Sequence, residues 1–473
     1  GATGLFLALG AYLAAASVAC VPAPARRQAL LAVGALGGAV ALPVLAPSWT
    51  VPAAAVAFGA VALSRALGGK GARDPYGIRH FLRERPLPDR EGFTPRPEHA
   101  QLVTRPAAPP RPSAAHGLLR GRDVILLTFE SVGRSHLSAF SRGGACTPFL
   151  EGLLPGALRS RHHACVSPTT NNAHLALYGS RYGEARFAGI RALRDAGYRT
   201  VYLTAARCAE YGLRSILDGA GFEHVVDRAV LGRDRAGPLG DEVLVSEGLD
   251  RLAPLLSGGG PFFLHVHATN THVPYRVADP ERFRRFDPTS DHGRFLNGIE
   301  ECDALFGALL DGLKARGLTQ APLIVVSSDH GQAFGELGYH SHGSAITRDQ
   351  LDVPLLFHHP ELALGEVPFS SHFDVLPTML DLLGLSHDEP IFGDSLLHPD
   401  RRPEMLVWAG HPSRATTSHY GVLLDGEKLM VDLVLDRCWR MDWRDERVEE
   451  LSGAEKEYAS ALASRLMALR RVA

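Results

Sequence analysis

The run Ala321-Pro322-Leu323-Ile324-Val325-Val326, followed at once by Ser327-Ser328-Asp329-His330-Gly331, constrains this chain more than any other stretch. A short β-branched run without polar alternation reads as a strand buried on both faces, the kind found in parallel sheets covered by helices. In open α/β sheets, ligand sites lie just beyond the carboxyl ends of the strands. A carboxylate, an imidazole and a glycine at that point can serve as adjacent metal ligands on a tight turn. An isolated Asp-His-Gly would read as a turn with a satisfied core histidine, so the reading depends on what other strand ends supply.

From residue 121 onward, strand and helix patterns alternate, which predicts an α/β domain with a largely parallel sheet flanked by helices. Asp123-Val124-Ile125-Leu126-Leu127-Thr128-Phe129 is a strand that ends in Glu130-Ser131. A helical stretch over 186–196 leads into the strand Tyr198-Arg199-Thr200-Val201-Tyr202-Leu203. Phe262-Phe263-Leu264-His265-Val266-His267 is a third strand, leading to Asn270-Thr271-His272-Val273-Pro274-Tyr275. A helix over about 296–316 precedes the Asp329-His330 strand. Glu130, His272 and Asp329/His330 thus stand at three strand ends, the expected way to gather a metal site from distant parts of a sequence.

A nucleophile is sought in Cys165-Val166-Ser167-Pro168-Thr169-Thr170-Asn171-Asn172-Ala173-His174, which precedes a short helix containing Leu175-Ala176-Leu177-Tyr178-Gly179. A threonine at a helix N-terminus feels the positive end of the dipole, which favours an alkoxide and a bound anion. Ser, Thr and Asn are also ordinary N-caps. Taken alone, the stretch is a cap before it is a catalyst.

The first part of the chain has another character. Residues 1–25 and 28–64 contain no Asp, Glu, Lys or Arg. The first run is long enough for one membrane span; the second, broken by Pro43, Pro47 and Pro52, fits two. Residues 1–70 are therefore expected to be an anchor of two or three spans, with room for more upstream of a chain that does not begin with Met. Arg26, Arg27, Arg65, Lys70 and Arg73 would place the following domain in the cytoplasm by the positive-inside rule. Residues 71–120 are rich in Pro and Arg and read as a linker. The domain is expected over 121–395, with 396–473 as its C-terminal subdomain. A net charge of −2 gives no reason to expect a nucleic-acid partner. The six cysteines lack Cys-x-x-Cys spacing and give no zinc-finger pattern, leaving room for one or two disulfides.

Together these residues resemble the alkaline phosphatase superfamily, and within it the sulfatase-like membrane enzymes of the lipoteichoic acid synthase and phosphoethanolamine transferase type. Phe129-Glu130-Ser131, Asp329-His330-Gly331, His342-Gly343 twelve residues on, and Thr271-His272-Val273-Pro274-Tyr275 carry the resemblance. It extends through Phe373-Asp374-Val375-Leu376-Pro377-Thr378 to closing antiparallel strands over 420–450. The resemblance implies an alkaline-phosphatase/sulfatase-like sheet with a small C-terminal antiparallel sheet. It implies a divalent cation, Zn²⁺ or Mn²⁺, held by Glu130, Asp329, His330 and a threonine oxygen. His272 and His342 would act on phosphate oxygens or the leaving group, and Asn172, His174 and His340 are further substrate-binding candidates. It also implies a phospholipid donor, an envelope glycan, lipid or water as acceptor, and a catalytic domain on the extracytoplasmic side, against the positive-inside count.

Superfamily members tend to place a glycine ten residues after the nucleophile, and Gly179 favours Thr169, with Thr170 the alternative. The Cys/Ser-x-Pro-x-Arg pattern needed for a formylglycine nucleophile is absent, since Cys165 is followed by Val166-Ser167-Pro168. Sulfate-ester hydrolysis by that route is disfavoured. A sulfatase-like hydrolase and an inactive interaction protein are the alternatives to a phosphotransferase.

Overall fold

The computed structural model describes residues 107–472, apart from 182–187, 210–211, 233–239, 319, 363–364, 402–404, 410–418, 425–426 and 433–435. The expected anchor over 1–70 and most of the linker lie outside the described residues. Among the described residues, no helix is long and apolar enough to cross a membrane.

The central sheet is built on β1 (Val124–Phe129), β5 (Phe262–Ala268) and β6 (Leu323–Ser328), with β1 parallel to both neighbours. Around them stand β2 (Ala157–Ala164), β3 (Arg199–Thr204), β4 (His224–Val226), β9 (Leu355–His358) and β10 (Gly365–Ser371), while β7 (Ala333–Phe334) and β8 (His340–Ser341) pair with each other as a short antiparallel ribbon. The order is β10-β2-β9-β6-β1-β5-β3-β4, with β9 antiparallel to both β2 and β6. The expected strands are therefore present, though β6 continues through Ser327 and Ser328, so the polar turn begins at Asp329. β2, β9 and β10 were not anticipated. β2 carries Arg159, Arg161, His162 and His163 and lacks the apolar run by which the central strands are recognised.

β1 alternates its side chains between two cores. Ile125, Leu127 and Phe129 belong to a cluster that includes Phe295, Ile299, Phe306 and Leu309 of the helix α2 (Asp291–Ala315). Val124 and Leu126 face a second cluster, with Leu177 and Tyr178 of α1 (Thr170–Gly179) and Val375, Leu376 and Met379 of α3 (His372–Leu383). Fully burying side chains of this size contributes on the order of 2 kcal/mol each, which explains why both faces of so apolar a strand must be covered. Ser290 caps α2 by accepting from Gly293 N–H at 3.0 Å, and α3 opens with a Ser371/Asp374 capping box.

The expected closing strands form a separate antiparallel sheet, β11 (Met405–Ala409), β12 (His419–Leu424), β13 (Glu427–Asp432), β14 (Arg437–Asp442) and β15 (Val448–Leu451), in that order. The helix α4 (Gly453–Val472) follows. The disulfides left open by the sequence are not formed among the described residues: Cys146, Cys165, Cys208, Cys302 and Cys438 are free.

Candidate metal centre

The carboxyl ends of β1 and β6 are adjacent, because Phe129 pairs with Ser328. Glu130 and Asp329 therefore leave the sheet side by side. Ser131 takes a left-handed conformation, φ 62°, unusual for a residue with a side chain. That turn sends Ser131 N–H to Asp329 Oδ1 (2.8 Å) and Ser131 Oγ–H to Glu130 Oε1 (2.9 Å). His330 N–H also donates to Asp329 Oδ1, at 2.7 Å. The other oxygen, Asp329 Oδ2, is buried and has no partner among protein atoms. Gly331 follows because a Cβ there would lie 2.0 Å from the Asp349 carbonyl oxygen.

His330 is fully buried, and its Nδ1–H donates to the Gly331 carbonyl at 3.0 Å, so Nε2 carries the lone pair. That Nε2 faces Glu130 Oε1 (3.4 Å) and Asp329 Oδ2 (3.3 Å). Burial holds its basicity down to about 4, so the ring is neutral, as a metal ligand must be. Burial alone would raise the Glu130 carboxyl, but the His267 hydrogen bond and the nearby imidazoles outweigh it and hold the group well below its usual range. Asp329 is pushed well above its usual range, by burial and then by the Glu130 charge. Two carboxylates this close cannot both ionise cheaply without a cation between them. The unpartnered Oδ2 and the oxygen/nitrogen donor set fit a divalent ion such as Zn²⁺ or Mn²⁺.

The two threonines part at the start of α1. Thr170 is the first residue of the helix, and its Oγ1 lies 3.3 Å from Glu130 Oε1 and 3.4 Å from His330 Nε2. Thr169 is the N-cap in extended conformation, and it is buried. Its Oγ1 accepts from Asn172 Nδ2 at 2.9 Å and lies 3.4 Å from Ser167 Oγ. The geometry thus brings Thr170 to the carboxylates, whereas the glycine count favoured Thr169. Counting residues to Gly179 cannot distinguish the N-cap from the first helical position, where side-chain direction changes abruptly.

His342 and His272 stand at the mouth. Ring centroids of His330 and His342 are 4.5 Å apart, and those of His272 and His342 5.4 Å. His342 Nδ1 bonds to Gln332 Oε1 at 2.9 Å, and Gln332 Nε2 lies 3.2 Å from the Tyr275 hydroxyl. Burial and then the neighbouring His330 lower the basicity of His342 to about 3. His272 is exposed, with Nδ1 on the Val273 carbonyl at 2.9 Å. His340 is exposed on the short strand His340–Ser341, its ring against Gly335, and is not drawn into the cluster. Asn172 is turned to Thr169 and Ser167. His174 is fully buried, with Nδ1 on the Thr170 carbonyl (2.8 Å) and Nε2 on the Tyr202 hydroxyl (3.1 Å). It has no free atom for substrate, which corrects the expectation of a binding role.

Sequence reasoning passed over His267. Glu130, His267 and Asp329 offer ligand atoms that all lie within 4.8 Å of one another, as do His174, His265 and His267. The signal was the His-x-His alternation of β5, which puts both imidazoles on one face of the sheet. Cys165 is also removed from the chemistry: it is buried, its thiol donates to the Gln350 carbonyl at 3.3 Å, and burial pushes it well above its usual range.

Comparison with known proteins identifies the family and the fold. A family model described as Sulfatase matches residues 122–385, more than half of the chain. A lipoteichoic acid synthase-like protein, YvgJ of Bacillus subtilis, is 23% identical over 330 residues, covering 62% of this chain and 52% of that one. Phosphoglycerol transferase I of Xanthomonas campestris is 27% identical over 239 residues, covering 48% of this chain and 33% of its own. The chain thus spans about half of the first relative's length and a third of the second's. Among solved structures, the lipoteichoic acid synthase LtaP of Listeria monocytogenes superposes with a TM-score of 0.60 at 18% identity, covering 79% of this chain and 97% of that one. The fold is accordingly of the alkaline-phosphatase type, with a mostly parallel central sheet and a small antiparallel one.

Proposed function

Because the chain belongs to the sulfatase family, we propose that it is a metal-dependent phosphotransferase that moves a lipid head-group phosphoryl unit through a phospho-threonine at Thr170. The observation that carries this reading is the Thr170 hydroxyl 3.3 Å from Glu130 Oε1 and 3.4 Å from His330 Nε2, beside the unpartnered Asp329 Oδ2. Glu130, Asp329, His330 and Thr170 would hold the divalent ion, which when bound lowers the hydroxyl pKa and neutralises phosphoryl oxygens.

The chain's own groups supply the rest. Thr170 Oγ sits at the N-terminus of α1, where peptide N–H groups favour an anion, and Glu130 is positioned to accept its proton. Attack in line on phosphorus breaks the bond to the lipid alcohol. That alcohol leaves with a proton from the His272/His342 pair, where an anionic phosphate against His342 would favour its protonated form. An acceptor hydroxyl or water then attacks the phospho-threonine and gives its proton to the same imidazoles, while Thr170 leaves phosphorus and takes its own proton back from Glu130. Gln332, accepting from His342 Nδ1, leaves Nε2 free for this exchange.

The lipid donor is supported by the uncharged runs over 1–25 and 28–64, read as an anchor, and a phosphoglycerol transferase and a lipoteichoic acid synthase-like protein among the relatives support phosphoryl transfer. Tethering at the bilayer raises the effective concentration of a lipid substrate. The anchor over 1–70, the linker over 71–120 and an extracytoplasmic catalytic domain over 121–473 belong to the same reading, with an envelope glycan, a lipid or water as acceptor.

Intact-mass measurement of the full chain in detergent, loaded with Zn²⁺ or Mn²⁺ and incubated with phosphatidylglycerol or phosphatidylethanolamine, tests this directly. A covalent adduct that persists in Thr169→Ala and vanishes in Thr170→Ala supports the reading, and its mass identifies the head group. An adduct that follows Thr169, or its absence with every donor and metal, overturns it.

A further inference from the structure

Between the sheet and α1 lies a buried polar layer that the proposed chemistry does not use. Register explains its origin: Leu126, His265 and Tyr202 form one cross-strand row, and Thr128, His267 and Thr204 the next. α1 contributes His174 and Tyr178, four residues apart and so on one face. The polar members, Thr204 apart, take part in two lines of hydrogen bonds. The Tyr178 hydroxyl is 2.6 Å from His265 Nδ1, and His265 Nε2 is 2.8 Å from Thr128 Oγ1. Thr128 Oγ1 is also 2.8 Å from His267 Nδ1, and His267 Nε2 is 2.9 Å from Glu130 Oε2.

The direction of each bond follows from one end. A carboxylate oxygen only accepts, so His267 donates to it from Nε2–H, an arrangement that in a neutral imidazole leaves the lone pair at Nδ1. Thr128 must then donate its single hydroxyl proton to His267 and accept from His265 Nε2–H. That leaves His265 Nδ1 as the acceptor for the Tyr178 O–H. The four bonds share one direction, and the line ends on the one Glu130 oxygen that does not face Thr170 most closely. Thr170 Oγ1 is 3.3 Å from Oε1 and 3.5 Å from Oε2. The second line runs likewise, from Tyr202 O–H to His174 Nε2 and from His174 Nδ1–H to the Thr170 carbonyl.

We infer that His267, braced through Thr128 and His265 by Tyr178, is a positioning residue of the metal centre: it holds Glu130 Oε2 so that Oε1 is presented to a divalent cation. His174, His265 and His267 are close enough to share an ion themselves, but all six of their ring nitrogens already have protein partners, so the layer supports a site and is not one. The inference rests on the metal centre proposed above. Partners that orient a ligand in this way typically change metal affinity 10–100-fold.

The test uses the full chain in detergent, stripped with a chelator and titrated with Zn²⁺ against a chromophoric competitor, with metal content counted by mass spectrometry. Wild type is expected to bind one ion, and His267→Leu to bind it about 10–100-fold more weakly. His267→Gln, whose amide can still donate to Glu130, should recover most of the loss. Thr128→Val and Tyr178→Phe, farther along the line, should cost progressively less. If His267→Leu does not fold, Thr128→Val decides. Wild-type affinity in the folded His267→Leu chain, or in Thr128→Val when it decides, overturns the inference while leaving the metal centre intact. So does a second bound ion that is lost in His265→Phe. A wild type that binds no ion overturns the metal centre itself, and this inference with it.

Discussion

Two buried clusters of histidine and carboxylate lie within one layer of this fold, and their bonding differs. At the strand ends, Asp329 and His330 stand beside Glu130 with one carboxylate oxygen left without a partner. Under α1, the His174, His265 and His267 imidazoles have every nitrogen engaged. An unmade bond to a buried polar atom costs about 1–3 kcal/mol, more when the group is charged. A divalent ion bound there would supply the missing partner, whereas a saturated network rigidifies its surroundings. Residue type alone would rank the three histidines as the better metal site. Counting bonds reverses the ranking.

The largest effect expected from this contrast is at Thr170. Thr170→Ala should lower kcat for phosphoester turnover by about 10³-fold or more, while Thr169→Ala, which breaks a hydrogen bond to Asn172, should stay within about tenfold. Steady-state rates on a chromogenic phosphodiester would measure both, and equal losses would erase the distinction between the two threonines. His342→Ala comes next, with kcat falling on the order of 10²-fold, and Gln332→Leu should produce a smaller loss of the same kind. Unchanged rates in His342→Ala would move proton transfer to another group.

Metal removal should be felt mainly at the strand ends. Zn²⁺ at about 100 times its Kd contributes roughly 2.7 kcal/mol, so chelation should lower Tm by several degrees. Asp329→Asn should abolish that difference, and His265→Phe, which removes one link of the brace on His267, should reduce it without abolishing it. Thermal scans with and without chelator read both; a His265→Phe chain that no longer responds to metal would assign the ion to the wrong cluster here.

The mildest test is acid. Burial lowers His136 to about 4, and His174 and His372 to about 3, against an ordinary value of 6.5. Between 6.5 and those values the unfolded chain takes up protons that the native chain does not. Stability therefore falls as pH drops through that window. Asp241, Asp303 and Asp349, whose carboxyls burial pushes up to about 6, 7 and 6, work in the opposite sense, but the buried rings, with His330 at about 4 and His342 at about 3 besides, outweigh them. The urea midpoint should be lower at pH 5 than at pH 7; a flat profile would mean that the rings do not outweigh the carboxyls.

Much of the fold was legible in the residues. β1, β3, β5 and β6 announced themselves as apolar β-branched runs, because strands covered on both faces have no polar side to alternate. Glu130, Asp329 and His330 were legible for the same reason: polar residues that abruptly follow such runs emerge together at one edge of a parallel sheet. β2 and β10 were not: β10 is the edge strand and β2 its neighbour, and both carry charged residues and resemble loops. β9 escaped because an antiparallel strand inside a parallel sheet is fixed by its neighbours.

What the amino-acid order settles, then, is the layering of the domain, the edge at which its chemistry collects, and a glycine at 331, where any Cβ would strike the Asp349 carbonyl. Which threonine faces the carboxylates depends on where α1 begins, and a shift of one residue rotates the side chain by about 100°. The part played by His267 depends on strand register, which sets Thr128 beside it and so directs each proton in the line. Both are matters of direction, and side-chain direction is decided only when helices and strands are packed against one another.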